Sequence, residues 1–253
     1  MDSIEHYNLQ AEKFGDSKQS TMMDIITRDK EVEKIISTIK SFKLYQPRIL
    51  EIGCGNGYTA EQVLKNIETK SYVGLDINEE LLNIVVSRNL CGYFGKGNCL
   101  DIQYHDRSFD IVFSERCLIN LITWENQQRA INEIYRVLEK GGYYIMVEAF
   151  TDAHDNINAA REAIGLERIP VPFHNLFFNK DILMPFMNQL FMSIPAENNF
   201  LSTYYYGSRV LYPAFCYSFG EDLVYNNKFI EFFSYMQPLG NYGYIQIHVW
   251  RKK

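Results

Sequence analysis

Residues 49–59 read ILEIGCGNGYT, a short apolar run followed by a turn that contains three glycines. A short, continuous apolar run is typical of a strand that is buried on both faces of a parallel sheet. The next stretch, TAEQVLKNI (residues 59–67), has the spacing of a short helix. A strand, a glycine turn and a helix in this order place a ligand beyond the carboxyl end of the strand.

The spacing of the glycines distinguishes between classes of ligand. A dinucleotide fingerprint has the form G-x-G-x-x-G, whereas Gly53, Gly55 and Gly57 form G-x-G-x-G. This spacing disfavours a nicotinamide oxidoreductase. A second apolar run, SYVGLDI (residues 71–77), carries the acid Asp76 about twenty residues after the turn. A strand, the three glycines and this acid together are far more specific than a G-x-G pair alone.

Apolar runs alternate with amphipathic segments between residues 30 and 150. The predicted strands are residues 48–53, 71–77, 92–98, 109–115 and 142–150, with a last strand at residues 243–251. The predicted helices are residues 29–42, 59–67, 78–89 with Asn78 as N-cap, and a helix that begins after Thr123 and ends before Gly141. The alternation predicts an α/β fold with a mostly parallel sheet covered by helices on both faces.

The pattern is looser after residue 150. It predicts helices around residues 154–165, 180–190 and 222–236, while the aromatic stretch at residues 202–217 favours no single structure. The sequence contains no internal repeat and no low-complexity linker, so a single domain is expected.

The motif E-x-G-x-G-x-G, followed by Asp76, resembles motif I of the class I S-adenosylmethionine-dependent methyltransferases, and the resemblance extends over residues 30–150. It implies a Rossmann-like, seven-stranded, mostly parallel sheet with an N-terminal lid and a C-terminal cap insertion. In this scheme the single domain, residues 1–253, comprises a lid (residues 1–29), a cofactor-binding core (30–150), an acceptor-binding cap with the late elements (151–241) and the last strand (242–253). The implied cofactor is S-adenosyl-L-methionine.

The resemblance also implies which residues bind that cofactor. Asp76 is expected to bind the ribose hydroxyls by charge-assisted hydrogen bonds, and Glu51 to anchor the ammonium group. Asn98, where the family usually has an aspartate, and Cys99 are expected at the adenine edge, with Asp101 as a second candidate there. The complete predicted set is Glu51, Gly53, Cys54, Gly55, Gly57, Asp76, Ile77, Asn98, Cys99, Asp101, Ser114 and Glu115.

An absent motif and the net charge of the chain indicate the class of methyl acceptor. Nucleic-acid amine methylases of this fold carry an Asn/Asp/Ser-Pro-Pro-Tyr/Phe motif after the fourth strand, but residues 114–117 read SERC. The net charge of −6 and the pI of about 5.5 also argue against a nucleic-acid partner. A small-molecule acceptor is therefore expected. Residues 8–24 and 165–178 resemble a bacterial subset that modifies sugars, which implies O-methylation of a sugar or a similar hydroxyl.

His174 lies in the proline-bounded turn IPVPFHN (residues 169–175) and is the predicted proton acceptor, since histidine titrates near neutral pH. The alternative is a structural histidine that holds the turn beside Asn175. The predicted acceptor-binding residues are Arg116, Asn175, Tyr205 and Tyr212. Two further readings stay open: a small-molecule N-methyltransferase and a regulatory protein that binds S-adenosylmethionine without turnover.

Other signals are negative. The five cysteines form no close pairs and their number is odd, which favours buried, reduced thiols and a cytoplasmic protein. No basic and apolar leader and no apolar run of about 18 residues is found, so no membrane partner is expected. HExxH and CxxC are absent, so no metal site is expected. The oligomeric state is left open.

Overall fold

The computed structural model describes residues 3–20 and 22–253, and its centre is a seven-stranded sheet. The strands are β1 (Arg48–Ile52), β2 (Ser71–Asp76), β3 (Tyr93–Lys96), β4 (Phe109–Glu115), β5 (Leu138–Ala149), β6 (Phe191–Ile194) and β7 (Ile245–Lys252). Their order across the sheet is β3-β2-β1-β4-β5-β7-β6. Strands β1 to β5 pair in parallel, and β7 is antiparallel to both β5 and β6. The predicted Rossmann-like, mostly parallel, seven-stranded sheet is confirmed.

Helices lie along the sheet and over its edges. They are α1 (Ser3–Phe14), α2 (Ile25–Ser41), α3 (Tyr58–Asn66), α4 (Glu79–Ser87), α5 (Trp124–Val137), α6 (Thr151–Glu162), α7 (Lys180–Leu190), α8 (Ser202–Tyr206), α9 (Tyr212–Phe219) and α10 (Lys228–Ser234). Short 3-10 turns occur at Lys18–Ser20 and Leu118–Asn120, and a π-helical turn at Gly207–Leu211 joins α8 to α9.

The sheet reverses its order at β1. The chain builds β2 and β3 on one side of β1 and then crosses to β4 on the other side. In sheets of this type the carboxyl ends of the strands beside this reversal border a crevice that binds ligands. Strands β1 and β4 therefore determine where the site is.

The central strands are apolar at successive positions because both faces of the sheet are covered. Ile49 and Leu50 of β1 and Val112 and Phe113 of β4 are completely buried. The apolar residues Ala130, Ile131, Ile134 and Val137 of α5 are completely buried as well. The predicted N-caps hold their helices. The Asn78 side chain accepts a hydrogen bond from the backbone N–H of Leu81 (2.9 Å), and Thr123 caps α5 in the same way.

Two predictions for the later elements need correction. The helix expected over residues 222–236 is confined to α10, because Asn227 caps it by accepting from the N–H of Ile230 (3.0 Å). Residues 202–217, which favoured no structure in the sequence, are helical throughout. Gly207 stands inside that helical stretch because a Cβ there would lie 2.2 Å from the Phe233 ring of α10.

The N-terminal segment lies against the glycine turn. The Asn56 side-chain amide donates to the carbonyl of Ser17 (3.0 Å), and the Arg88 guanidinium donates to the carbonyl of Asp16 (2.8 Å). Asn78 also donates to the side chain of Asn8 (2.8 Å). The segment predicted as a lid is thus attached to the glycine turn and to α4, although residues 1, 2 and 21 of that prediction lie outside the described residues.

Gly57 provides a test of the packing beneath the turn. Its φ is +75° and a Cβ there would lie 2.1 Å from Cγ2 of Val85. Gly165 has nearly the same φ, +78°, but nothing lies within 4 Å of its Cβ position. We expect Gly165→Ala to lower the free energy of unfolding by about 1–2 kcal/mol through backbone strain alone. Gly57→Ala should lower it by roughly 1–3 kcal/mol more, through overpacking.

The measurement is urea unfolding of both variants beside the wild type. Equal losses of unfolding free energy in Gly57→Ala and Gly165→Ala would contradict the close packing of α3 on α4.

Candidate functional site

A cavity of about 200 Å³, here called the cleft, opens at the carboxyl ends of β1, β2 and β4. Its floor is the glycine turn and its sides are the residues that follow β2 and β4. Nine of the twelve predicted cofactor residues line it: Glu51, Gly53, Cys54, Gly55, Asp76, Ile77, Asn98, Cys99 and Glu115. The topology brings these residues together from four separate stretches of chain, at the crevice where the sheet reverses its order.

Asp76 is fixed by the backbone around it. One carboxylate oxygen accepts from the N–H of Gly55 (2.7 Å) and the other from the N–H of Asn78 (2.8 Å). Burial raises the pKa of Asp76, and these hydrogen bonds oppose that rise. A carboxylate oxygen can accept more than one hydrogen bond. Asp76 can therefore hold the turn closed and still accept from two neighbouring hydroxyl groups of a ligand.

Glu51 lies deeper, at the base of the cleft, and its side chain is 1% exposed. Tyr72 donates its hydroxyl proton to Oε2 of Glu51 (2.6 Å). Burial raises the pKa of Glu51 to about 8. A cationic group of a ligand beside this carboxyl would favour its ionised form.

Two arginines and two glutamates form a buried cluster beside the cleft. Nε of Arg116 donates to both carboxylate oxygens of Glu31 (3.0 and 3.1 Å), and Arg28 lies 3.7 Å from Glu115. Burial and the charge of Glu115 raise the pKa of Glu31, whereas the two arginines outweigh burial at Glu115 and lower its pKa. Arg28 and Arg116 both line the cleft, where their guanidinium groups suit the carboxylate of an amino-acid ligand.

Arg28 and Glu31 were missed in the sequence. Both lie on the face of α2 that also carries Val32, Ile35 and Ile39, and all five side chains are buried. Charged residues on the apolar face of an amphipathic helix are unusual. The presence of Arg28 and Glu31 on this apolar face was the signal in the sequence that could have identified them.

Ser114 was predicted to bind the cofactor, but it does not line the cleft. It donates to Oε1 of Glu148 (2.8 Å), an acid that also accepts from the backbone N–H groups of Cys117, Leu118 and Ile119 (3.2, 3.0 and 3.2 Å). Burial raises the pKa of Glu148 to about 7. The Ser114–Glu148 pair holds the turn after β4, the turn that presents Arg116.

Four other predicted residues also lie away from the cleft, and none of them lines the larger cavity beside it. Gly57 packs on α4, and Asp101 is exposed beyond β3. Tyr205 is covered by the guanidinium of Arg209, whose carbon lies 3.7 Å from the ring centre. The hydroxyl of Tyr212 accepts from the N–H of Val224 (3.1 Å). The many aromatic residues in this part of the sequence did not show which tyrosines pack in the core and which line a pocket.

A second cavity of about 480 Å³, here called the side cavity, adjoins the cleft. Tyr7 and Arg116 line both spaces. The predicted residues His174 and Asn175 line the side cavity, and the Tyr7 ring meets the edge of the His174 ring at a centroid distance of 6.1 Å. The remaining walls come from the N-terminal segment, the turn at residues 169–175 and the start of β7, together with Ile119, Ala149, His154, Phe177, Arg209 and Tyr244.

Within residues 3–20 and 22–253, no three or more His, Cys, Asp or Glu side chains are grouped to hold a metal ion. Across the same described ranges, no helix combines the length and the apolar character needed to cross a bilayer.

Comparison with known proteins identifies the family of the central segment. Residues 49–142 match the methyltransferase domain family. A fatty-acid O-methyltransferase of Mycolicibacterium smegmatis is 31% identical over 104 residues, which are 40% of this chain and 37% of that protein. The sterol 24-C-methyltransferase erg6 of Aspergillus fumigatus is 30% identical over 126 residues, which are 47% of this chain and 32% of that protein. The match thus spans about a third of the length of these relatives.

Solved structures share the fold. The PH0226 protein of Pyrococcus horikoshii OT3 aligns over 98% of this chain and 99% of its own length, with a TM-score of 0.63 and 15% identity. The [4+2]-cyclase SpnF aligns over 81% of this chain and 74% of its own length, with a TM-score of 0.53 and 19% identity. Identities this low establish the fold alone, and one fold can host several reactions.

Asp76 and Asp101 form a matched pair of variants for the cleft. Asp76→Ala should weaken binding of S-adenosylmethionine by roughly 1–3 kcal/mol, the range for hydrogen bonds to charged groups. Asp101→Ala should leave the affinity unchanged, because Asp101 is exposed and outside the cleft. Titration calorimetry measures both. Equal affinities for the two variants would show that Asp76 does not contact the ligand.

Glu51 should make stability depend on pH. Its pKa in the folded state, about 8, lies above the ordinary value of 4.5, so the folded protein binds the proton more tightly. The stability that this bound proton gives the folded protein is complete below about pH 4.5 and is lost as the pH rises through 8. Glu51→Gln mimics the protonated form and keeps an acceptor for Tyr72. We therefore expect the variant to gain roughly 2–4 kcal/mol over the wild type between pH 5 and pH 8.

Urea unfolding at several pH values measures this difference, and groups common to both proteins cancel. Parallel curves of unfolding free energy against pH would rule out a raised pKa for Glu51.

Proposed function

We propose, from the premise that residues 49–142 form a class I methyltransferase domain, that this protein transfers the methyl group of S-adenosylmethionine to a hydroxyl oxygen of a small molecule. The observation that carries the proposal is the junction of the two cavities. Tyr7 and Arg116 line both of them, so a donor in the cleft and an acceptor in the side cavity would meet there.

The cleft offers a partner for each polar part of S-adenosylmethionine. Asp76 would accept hydrogen bonds from the ribose hydroxyls, and the turn already orients its carboxylate oxygens. Glu51 would take the ammonium group, and its raised pKa would fall as the ammonium approaches. Arg28 and Arg116, which both line the cleft, would bind the carboxylate.

When bound, S-adenosylmethionine supplies a methyl group on a positively charged sulfur, which is displaced in line by the acceptor oxygen. The contribution of the protein is alignment and exclusion of water, and correct positioning alone can account for several kcal/mol of the barrier. His174, in the wall of the side cavity, would take the proton that the hydroxyl releases. Tyr7, whose ring packs against His174, would contact both ligands where the two cavities meet and keep them aligned for the transfer.

The proposed acceptor is a sugar or a similar hydroxyl compound. Its support is the position of the turn at residues 169–175, which resembles the sugar-modifying subset and forms a wall of the side cavity. A lipid acceptor is the second candidate, because the names of two relatives refer to fatty-acid and sterol substrates. Methyl transfer from labelled S-adenosylmethionine to a panel of sugars, nucleotide-sugars, amines and fatty acids separates these classes and also tests N-methylation.

His174→Ala should lower turnover by about 10²–10⁴-fold, the usual contribution of a general base, without changing the affinity for S-adenosylmethionine. The wild type should lose turnover as the pH falls below neutrality, and the variant should lack this dependence. His154→Ala is the matched control, because His154 lines the same cavity but contacts Asn158 and packs edge-on against the rings of Phe177 and Tyr244. It should keep the pH dependence. Turnover at the wild-type rate in His174→Ala across this pH range would exclude His174 as the base.

A further inference from the structure

We infer that the side cavity selects an uncharged acceptor with two nearby hydroxyl groups, and that Ser20 and Asn175 each bind one of them. The inference rests on the proposed function, since it names the acceptor that the methyl group would reach. It adds Ser20 as a residue that determines specificity and gives the predicted acceptor residue Asn175 a defined role. It also excludes acceptors whose recognised group is a carboxylate, a phosphate or an alkyl chain.

The first observation is a pair of buried polar atoms that have no hydrogen-bond partner among the described residues. Oγ of Ser20 and Oδ1 of Asn175 are both inaccessible to solvent, and neither forms a hydrogen bond with any described residue. Both residues line the side cavity. Buried polar atoms in native proteins are nearly always hydrogen-bonded, so an exception calls for an explanation. A ligand that supplies the missing partners is such an explanation.

The chemistry of these two atoms limits the ligand. Oδ1 of Asn175 is an acceptor only, so its partner must carry an O–H or N–H group. Ionised carboxylates, fully ionised phosphates, ethers and alkyl chains have none. Oγ of Ser20 can donate or accept, and a second hydroxyl group satisfies it in either direction. A compound with several hydroxyl groups meets both requirements.

The charges around the side cavity favour a neutral ligand. None of the described residues that line it is Asp or Glu. Its two arginines already have carboxylate partners: Arg209 pairs with Asp24 (2.8 Å) and Arg116 with Glu31 (3.0 Å). Burial lowers the pKa of His154, which keeps that ring neutral. Arg28, the other arginine of the cluster, lines the cleft and not the side cavity, so the carboxylate of the donor would meet it there.

The apolar part of the wall suits the face of a ring. Phe177 and Tyr244 are stacked at a centroid distance of 5.8 Å with 17° between their planes, and both line the side cavity together with Pro170 and Pro172. Flat, rigid walls of this kind can pack against the C–H face of a sugar ring while the hydroxyl groups reach the polar atoms.

The two polar atoms also come from two different parts of the chain. Ser20 ends the 3-10 turn of the N-terminal segment, and Asn175 follows His174 in the turn at residues 169–175. An acceptor bound to both would therefore connect the N-terminal segment to the proposed base. This arrangement would place one hydroxyl group beside His174 while the others are recognised.

The test uses Ser20→Ala and Asn175→Leu in the full chain, with Asn175→Asp as the variant that keeps the acceptor oxygen. The acceptor panel contains methyl glycosides and inositol as neutral polyols, sugar phosphates, and long-chain fatty acids. We expect methyl transfer to a neutral polyol, a KM for that polyol at least tenfold higher in Ser20→Ala and in Asn175→Leu, and a smaller change in kcat. Asn175→Asp should restore most of the affinity for the polyol.

A structural readout accompanies the kinetics. If Ser20 and Asn175 serve the ligand, their replacement by apolar residues should leave the urea midpoint of the ligand-free protein unchanged or raise it. A lower midpoint in both variants would assign the two residues to the fold and overturn the inference. Transfer to fatty acids or sugar phosphates in place of polyols would overturn it too, with methyl transfer itself intact. Absence of S-adenosylmethionine binding in calorimetry would instead refute the proposed function.

Discussion

The site depends on the left-handed turn that follows β1. Gly53, Gly55 and Gly57 all have positive φ, between +51° and +76°, which residues with a Cβ adopt only at a cost. The turn is closed by the carboxylate of Asp76, which accepts from the N–H of Gly55 (2.7 Å). Strand β2 and the glycine turn therefore fix each other. The N-terminal segment is attached to the same turn through Asn56 and Arg88, so this segment and the cleft have one common support.

Charge placement then divides the site into two chemically different spaces. The cleft is lined by buried carboxyls and by Arg28 and Arg116, a mixture of charges that matches a zwitterionic amino-acid and nucleoside ligand. The side cavity has no lining carboxylate among the described residues, and its arginines are paired. Because Arg116 belongs to both spaces, the turn after β4 has to be positioned accurately. The buried acid Glu148, which accepts from three consecutive backbone N–H groups of that turn, provides this positioning.

The sequence was most informative where local patterns and long-range structure agree. Apolar strands, N-caps such as Asn78 and the glycine spacing predicted the sheet, the helices and the position of the cleft, because each depends on neighbouring residues. Contacts between distant segments were not predictable in the same way. Nothing local shows that Ser114 faces Glu148 or that Tyr205 lies beneath Arg209. Ser20 and Asn175 line the same cavity although they are 155 positions apart in the sequence. This common location becomes visible only in the folded chain.

The central claim is that the glycine turn and Asp76 form a site for S-adenosylmethionine and not for a dinucleotide. The most direct measurement is titration calorimetry of the full chain with S-adenosylmethionine and, separately, with NAD. The structure predicts saturable binding of S-adenosylmethionine at one site per chain and no binding of NAD. Binding of NAD without binding of S-adenosylmethionine would contradict the account.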